Sequence, residues 1–313
     1  MLQDFIICVN AVIPSAIYLL VGIVLKLAHV VTDEEVKRFT HMTFIALYPF
    51  MMFDNLYGKS LGDFMNARLV GYVLFLVVFQ IACAWIFVCR IEPENRNRGV
   101  MIQAIYRSNI VLMGLPVAAN IFGKGNVTSV AVVIMIVVPV YNALAVVIFE
   151  RFRGGHVDAK HLIKGVLTNP IIVGGLAACV VMLLGINLPS PIYNTIVTLS
   201  DSTTPIAMIL LGAALNLQGF SEDKAKVAIC VVGRLVVSPL IGLAGALLLG
   251  LRGVELVAVV VMTATPTALA SYAMASSMGG NGKLAGEIVV VSTLVACFTM
   301  PIWLFILKTG GFF

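Results

Sequence analysis

Apolar stretches, each closed by a short charged or Gly/Pro-rich segment, follow one another along the whole chain. They cover residues 5–28, 36–56, 67–89, 99–122, 127–149, 165–186, 192–217, 225–249, 254–278 and 284–307. A stretch of about 18 apolar residues or more reads as a bilayer-crossing helix, whereas barrel strands show short alternating segments. The pattern predicts an all-α polytopic membrane protein with ten transmembrane helices. Composition excludes a soluble globule: of 313 residues, 60% are hydrophobic and 11% charged, and the mean hydropathy is +1.05. No Lys or Arg precedes the first apolar run and no cleavage pattern interrupts it, so it reads as a retained helix rather than a cleaved signal peptide.

Charge adds orientation. Thirteen Lys and Arg fall in the loops after odd-numbered spans and five on the opposite side, which places both termini on the non-cytoplasmic face of the plasma (inner) membrane. The same loops account for the net charge of +5 without nucleic acid. The longest polar connection, 151–164, reads as a short cytoplasmic linker between residues 1–150 and 165–313. Five spans per half force any repeat to be inverted. Pro14 and Pro49 are 35 residues apart, as are Pro170 and Pro205, and the pairs are displaced by 156. Pro116 with Pro266 and Pro139 with Pro301 match at displacements of 150 and 162. The expected fold is two inverted five-helix repeats.

The chemistry concentrates in spans 4 and 9. Span 4 carries Arg107-Ser108-Asn109 followed by Met113-Gly114-Leu115-Pro116, and span 9 carries Thr263-Ala264-Thr265-Pro266-Thr267. Proline inside a helix removes a hydrogen bond and clashes with the preceding turn at roughly 3 kcal/mol, unless the chain opens there. In lipid an opened backbone is tolerated only where it lines a cavity or packs in protein. Thr265 followed by Pro266 reads as an N-cap hydroxyl and first helical position of a new half-helix. Two half-helices starting at mid-membrane would turn N–H groups and positive dipole ends on each other, an anion site. The alternative is a plain kink relieved by neighbouring Ser or Thr.

These residues resemble the auxin efflux carrier family, which includes plant auxin carriers and bacterial malate and malonate permeases. The resemblance rests on Asn109-x-x-Leu-Met-Gly-Leu-Pro116, with Phe44 to Pro49, Arg234 to Pro239, and Pro266 followed by Tyr272 to Ala275, in order along nearly the whole chain. It implies spans 4 and 9 crossing at their breaks, as in bile-acid-symporter-like folds. Helices 1, 2, 6 and 7 would form a dimerising scaffold, and 3–5 with 8–10 an elevator-type transport domain. The substrate carboxylate would bind at Asn109, Met113, Gly114, Pro116, Thr265, Pro266 and Thr267, with Tyr48 and Asn55 as further contacts. The short central linker favours a short bacterial-type member, and malate, malonate and indole acetate all remain open.

Other polar residues have two readings each. Asp54, beside Asn55, ends span 2, either at the water interface or in a site. Asp201 lies at depth in span 7 if that span is continuous, and otherwise caps a second half-helix. Arg107 and Arg234 are the basic residues inside spans; either attracts an anion, or Arg107, near a helix end, snorkels to water. Glu255 and Glu287 read as too near their span ends to build a cation cluster. His29, His41, His156 and His161 form no site, the six cysteines carry no CxxC pair, and no HExxH occurs, so neither metal nor cofactor is expected. Gly279 to Gly282 reads as an inter-helix turn, and Asn126 to Thr128 fits a glycosylation sequon.

The expected activity is carriage of a small organic anion, driven by membrane potential. A sodium- or proton-coupled symporter is the alternative within transport. From other classes, a channel or sensor remains, as does an intramembrane aspartyl protease using Asp54 and Asp201, although the Gly-x-Gly-Asp element is absent.

Overall fold

The computed structural model describes residues 2–58, 66–154, 164, 167–215 and 223–313. Most of the 151–164 linker, with His156, Lys160 and His161, lies outside the described residues, as does Lys59. Every element among the described residues is a helix. In chain order these are α1 (Leu2–Leu27), α2 (Asp33–Ala46), α3 (Tyr48–Leu56), α4 (Ala67–Ile91), α5 (Asn95–Tyr106), α6 (Leu115–Phe122) and α7 (Thr128–Arg153). There follow α8 (Pro170–Leu183), α9 (Ser190–Ala214), α10 (Lys224–Val232), α11 (Ser238–Leu248), α12 (Gly253–Ala264), α13 (Leu269–Ser277) and α14 (Gly282–Thr309). Wide π turns at Ile110–Gly114 and Gly233–Val237 lead into α6 and join α10 to α11.

Six segments are long and apolar enough to cross a membrane: Ile6–Leu27, Ala67–Ile91, Thr128–Arg153, Ser190–Ala214, Lys224–Leu248 and Gly282–Thr309. The other apolar stretches come in shorter pieces with local causes. Residues 36–56 divide at Leu47, just ahead of Pro49, which cannot donate to a preceding turn. The Leu47 carbonyl accepts the Met51 N–H at 3.1 Å and also takes a hydrogen bond from Thr203 Oγ1 of α9 at 3.4 Å. The stretch expected from 165 becomes helical only at Pro170, where Asn169 caps the Ile171 N–H at 3.0 Å. α9 runs unbroken through Pro205, so Asp201 is no N-cap; it sits on an exposed flank of a continuous helix.

Termini are fixed by side chains. Thr32 and Glu35 form a reciprocal capping box on α2. Asn66 and Asn281 cap α4 and α14, each accepting at 3.1 Å from a backbone N–H three residues on. In the loop between α4 and α5, Glu92 is buried and pairs with Lys226 of α10 at 3.1 Å. Burial opposes ionisation of Glu92, but the Glu94 N–H, Lys226 and Asn97 outweigh it and hold its carboxyl below the usual range.

Two features of the packing position the site. α1 and α9 meet through small residues: a Cβ on Gly22 would strike the Ile209 carbonyl, and one on Gly212 the Leu19 carbonyl. Gly174 of α8 meets the Pro49 backbone of α3 in the same way. α1 also lies along α14 and α6. The most enclosed helices are α12, buried at every residue from Leu256 to Ala264, and α5, buried from Gly99 to Ala104. α12 is almost wholly apolar, as a helix enclosed in protein should be, and each of these two helices ends at a break.

Gly22→Leu and Gly212→Leu should each force α1 from α9. Overpacking costs about 1–3 kcal/mol even where side chains yield, and here the obstacle is backbone. Fluorescence-detected size exclusion after a heating series should show reduced folded yield and a lower melting temperature. Wild-type behaviour in both variants would contradict this packing.

Candidate functional site

The chain leaves helical geometry at Arg107–Asn109, between α5 and the 110–114 π turn, and again at Thr265–Ala268, between α12 and α13. The two extended segments cross and pair. Asn109 N–H donates to the Pro266 carbonyl at 2.8 Å, and Ala268 N–H to the Arg107 carbonyl at 3.2 Å, making an antiparallel bridge between Ser108 and Thr267. Side chains reinforce it. Thr267 Oγ1 donates to the Ala104 carbonyl at 2.9 Å, and the Thr267 N–H reaches Ser292 Oγ of α14 at 3.2 Å. Ser108 Oγ meets the Tyr141 hydroxyl at 3.4 Å. The extended backbone between the helix ends therefore finds partners within the protein, as a lipid surround demands.

The expected cap at Thr265 is corrected by this geometry. Its hydroxyl bonds back to the Val261 carbonyl at 2.7 Å, one turn earlier in α12, and α13 begins only at Leu269 with no side-chain cap. The four intervening residues are kept extended because they pair with Arg107–Asn109. In the other break, Gly114 approaches α12 so closely that a Cβ there would lie 3.1 Å from Val261 Cβ and 3.3 Å from its carbonyl oxygen. Met113 and Pro116 are buried on the same segment.

Each break has a negative and a positive side. The last carbonyls of α5 and α12 have no partners within their helices, and Arg234 gathers them. Its guanidinium is fully buried. Nε donates to Thr265 O at 2.9 Å, Nη1 to Ile105 O at 3.1 Å and Tyr106 O at 3.0 Å, and Nη2 to Met262 O. The π turn at Gly233–Val237 carries this side chain. Arg107 is also buried rather than snorkelling: Nη2 donates to Asn142 Oδ1 of α7 at 2.6 Å. Gln103, with its amide turned to satisfy both ends, accepts from Arg107 Nη1 at 3.0 Å and donates to Ser271 O at 3.3 Å.

The positive side is left open. The first N–H groups of the segments starting at Ile110 and Leu269 lack intrahelical partners and carry the positive dipole ends. Beside them, Asn109 Nδ2 and Ser271 Oγ are buried with no hydrogen-bond partner among the described residues. A buried unsatisfied polar group costs about 1–3 kcal/mol. Each break thus keeps one buried side-chain group whose hydrogen-bonding capacity is unmet.

Other expected residues lie elsewhere. Tyr48 is buried with its ring against Phe44, Asn55 Nδ2 donates to the Met51 carbonyl at 2.7 Å, and Asp54 accepts from the Tyr193 hydroxyl at 3.1 Å. No hydrogen bond among the described residues joins these three to the crossing. Gln103, Tyr141, Asn142, Ser271 and Ser292 were not singled out by the sequence pattern. Their one signal is a polar group inside an apolar run. No cluster of metal-ligating side chains occurs among the described residues.

Comparison with known proteins points to membrane transport. The sequence profile described as "Membrane transport protein" matches residues 7–304. A protein of Methanothermobacter thermautotrophicus described as an uncharacterized transporter is 22% identical over 296 residues, 94% of this chain and 96% of that protein. One of Methanocaldococcus jannaschii with the same description is 20% identical over 308 residues, 95% of this chain and 98% of its own length.

Arg234→Met should strand four carbonyls at about 1–3 kcal/mol each and collapse the folded yield. Arg234→Lys, with donors but no planar fork, should fall between. Melting temperatures of the purified variants test this; an Arg234→Met protein as stable as wild type would contradict it.

Proposed function

The chain belongs to the membrane transport protein family, as the auxin-efflux-carrier resemblance of Asn109 to Pro116 anticipated, and on that premise we propose that it carries a small organic carboxylate anion by elevator-type alternating access. It is a transport protein and not an enzyme. On this proposal the carboxylate sits at the crossing, taking hydrogen bonds from Asn109 Nδ2, Ser271 Oγ and the N–H groups that open the segments at Ile110 and Leu269. The observation that carries it is the pair of buried, partnerless groups, Asn109 Nδ2 and Ser271 Oγ, beside two helix N-termini. Met113, Gly114, Pro116, Thr265, Pro266 and Thr267 shape the pocket through their backbone. Tyr48 and Asn55 come to it only if α3 moves relative to the crossing.

The transport cycle we propose uses two inverted five-helix halves, residues 1–150 and 165–313, joined by a short cytoplasmic linker. Ten spans follow if α2 with α3, α5 with α6, α10 with α11 and α12 with α13 each count as one. Spans 1, 2, 6 and 7 form the scaffold and the dimer interface; the contacts of α1 with α9 and of α3 with α8 support that grouping. Spans 3–5 and 8–10 move, with both termini outside the plasma membrane. Potential-driven uniport or efflux is preferred over sodium coupling for a specific reason: the carbonyls that would hold a metal ion between the half-helix ends are taken by Arg234.

Proteoliposomes loaded with malate, malonate or indole acetate test the proposal. Flux of at least one should saturate and respond to an imposed potential without sodium or a pH gradient. Asn109→Ala should lower it about tenfold or more, as expected for a hydrogen bond to a charged group worth about 1.5–3 kcal/mol, with folded yield unchanged. Equal loss of flux and yield would reduce Asn109 to a structural role, and strict dependence on sodium or protons would overturn uniport.

A further inference from the structure

Polar contacts sort the helices into two bodies: α1 to α3 with α8 and α9, and α4 to α7 with α10 to α14. Inside the second body, Gln80 Nε2 of α4 donates to Ser238 Oγ of α11 at 2.8 Å, and Trp303 Nε1 of α14 to the Leu235 carbonyl at 2.9 Å. Asn281 Nδ2, at the start of α14, donates to Asn97 Oδ1 of α5 at 2.9 Å, and the bonds of Arg107 and Arg234 stay within the same body. Inside the first, the Leu188 N–H donates to the Tyr57 hydroxyl at 2.9 Å, and the Tyr193 hydroxyl to Asp54 Oδ1 at 3.1 Å. Close backbone approaches sort the same way: Gly22, Gly212 and Gly174 press on backbone of the first body, and Gly114 on α12 in the second. Where a glycine faces across the seam, Gly175 of α8, it meets the thioether end of Met135 of α7, a side chain that readily yields.

The seam itself is apolar. Leu19, Met208 and Leu211 of the first body share one buried cluster with Val289 and Val290 of α14, and apolar contact is non-directional, with no bond to break when one face slides on the other. Among the described residues, one hydrogen bond crosses this seam. Asn120 Nδ2, in the last turn of α6, donates to the Ala11 carbonyl of α1 at 2.9 Å. Ala11 lies in the turn that Pro14 interrupts; a proline removes the bond to the carbonyl four residues back and crowds that turn. We propose that the Asn120–Ala11 bond is a conformational latch: it holds the second body against α1 in the conformation of this structure and breaks each time the two bodies shift. This role rests on the two-body cycle proposed above, and it separates Asn120 from Asn109. Asn109 holds cargo; Asn120 touches none and weights one conformation against the other. Because the rest of the seam is non-directional, loss of the Asn120 donor shifts that balance by the worth of a neutral hydrogen bond, about fivefold in population.

The test is double electron–electron resonance on the full-length protein in lipid nanodiscs. Nitroxides are attached to genetically encoded keto amino acids at Asn194 of α9 and Thr309 of α14, one on each body and both exposed, so the native cysteines stay in place. Distances are read with and without malate, malonate or indole acetate. Wild-type protein should show the distance of this structure and a second one. In N120A the ratio of the first to the second should fall about fivefold. N120L, which keeps the side-chain volume without the donor, should match N120A, and N120D, which sets a carboxylate against the Ala11 carbonyl, should fall at least as far. A residue serving stability alone would lower the melting temperature and leave the ratio as it was. Two distances whose ratio is the same in wild type, N120A and N120L would therefore overturn the latch while the two-body cycle stands. A single unchanging distance in wild type and every variant, with or without carboxylate, would overturn both. Should N120A fail to fold, N120L and N120D carry the same comparison.

Discussion

An opened backbone in a bilayer has nowhere to turn but to the protein itself, and the arrangement of spans 4 and 9 follows from that constraint. Breaking two helices frees N–H groups and carbonyls at four ends. The extended residues satisfy one another across the Ser108–Thr267 bridge. The carbonyl ends of α5 and α12 are bound by the guanidinium of Arg234. What stays open is of one sign: the N–H ends, with Asn109 Nδ2 and Ser271 Oγ beside them. Capping one pole with a resident cation and leaving the other bare is how a neutral backbone would come to prefer an anion, and the proposed carboxylate site rests on that asymmetry.

Arg234 also bears on coupling. A cation buried among carbonyls, with no carboxylate partner among the described residues, leaves the crossing positively charged when empty. An arriving anion then reduces the charge to be moved through lipid, at about 2.3 kcal/mol per charge per 100 mV of potential. Membrane potential thereby has a lever on the proposed cycle without any co-transported ion.

Much of this was legible from residue order, because proline and polar residues in an apolar run have few explanations. Pro116 and Pro266 signalled both breaks, and Asn109 lies at the first of them. The sequence placed the second half-helix at Thr265, three residues early, because the local Thr-Pro signal is a good cap and nothing local reveals that 265–268 must stay extended to pair with 107–109. Local rules likewise left Arg107 either to attract an anion or to snorkel, and could not show that Asn142, thirty-five positions away, draws it inward. Ser271 and Gln103 were invisible for the same reason: one hydroxyl or amide in an apolar run says little until a partner, or the want of one, is in view. The split at Leu47 was latent in Pro49, but a 21-residue apolar run masked it.

The central claim is that a carboxylate lies against Asn109 Nδ2 at the crossing. Rotational-echo double-resonance NMR measures this directly, using protein with ¹⁵N-labelled asparagine side chains in lipid and the ¹³C-carboxylate that most raises its melting temperature. The account predicts dephasing consistent with an N···O hydrogen bond of about 2.9 Å, lost in Asn109→Ala. Saturating ligand with no dephasing, or dephasing that persists in that variant, would contradict it.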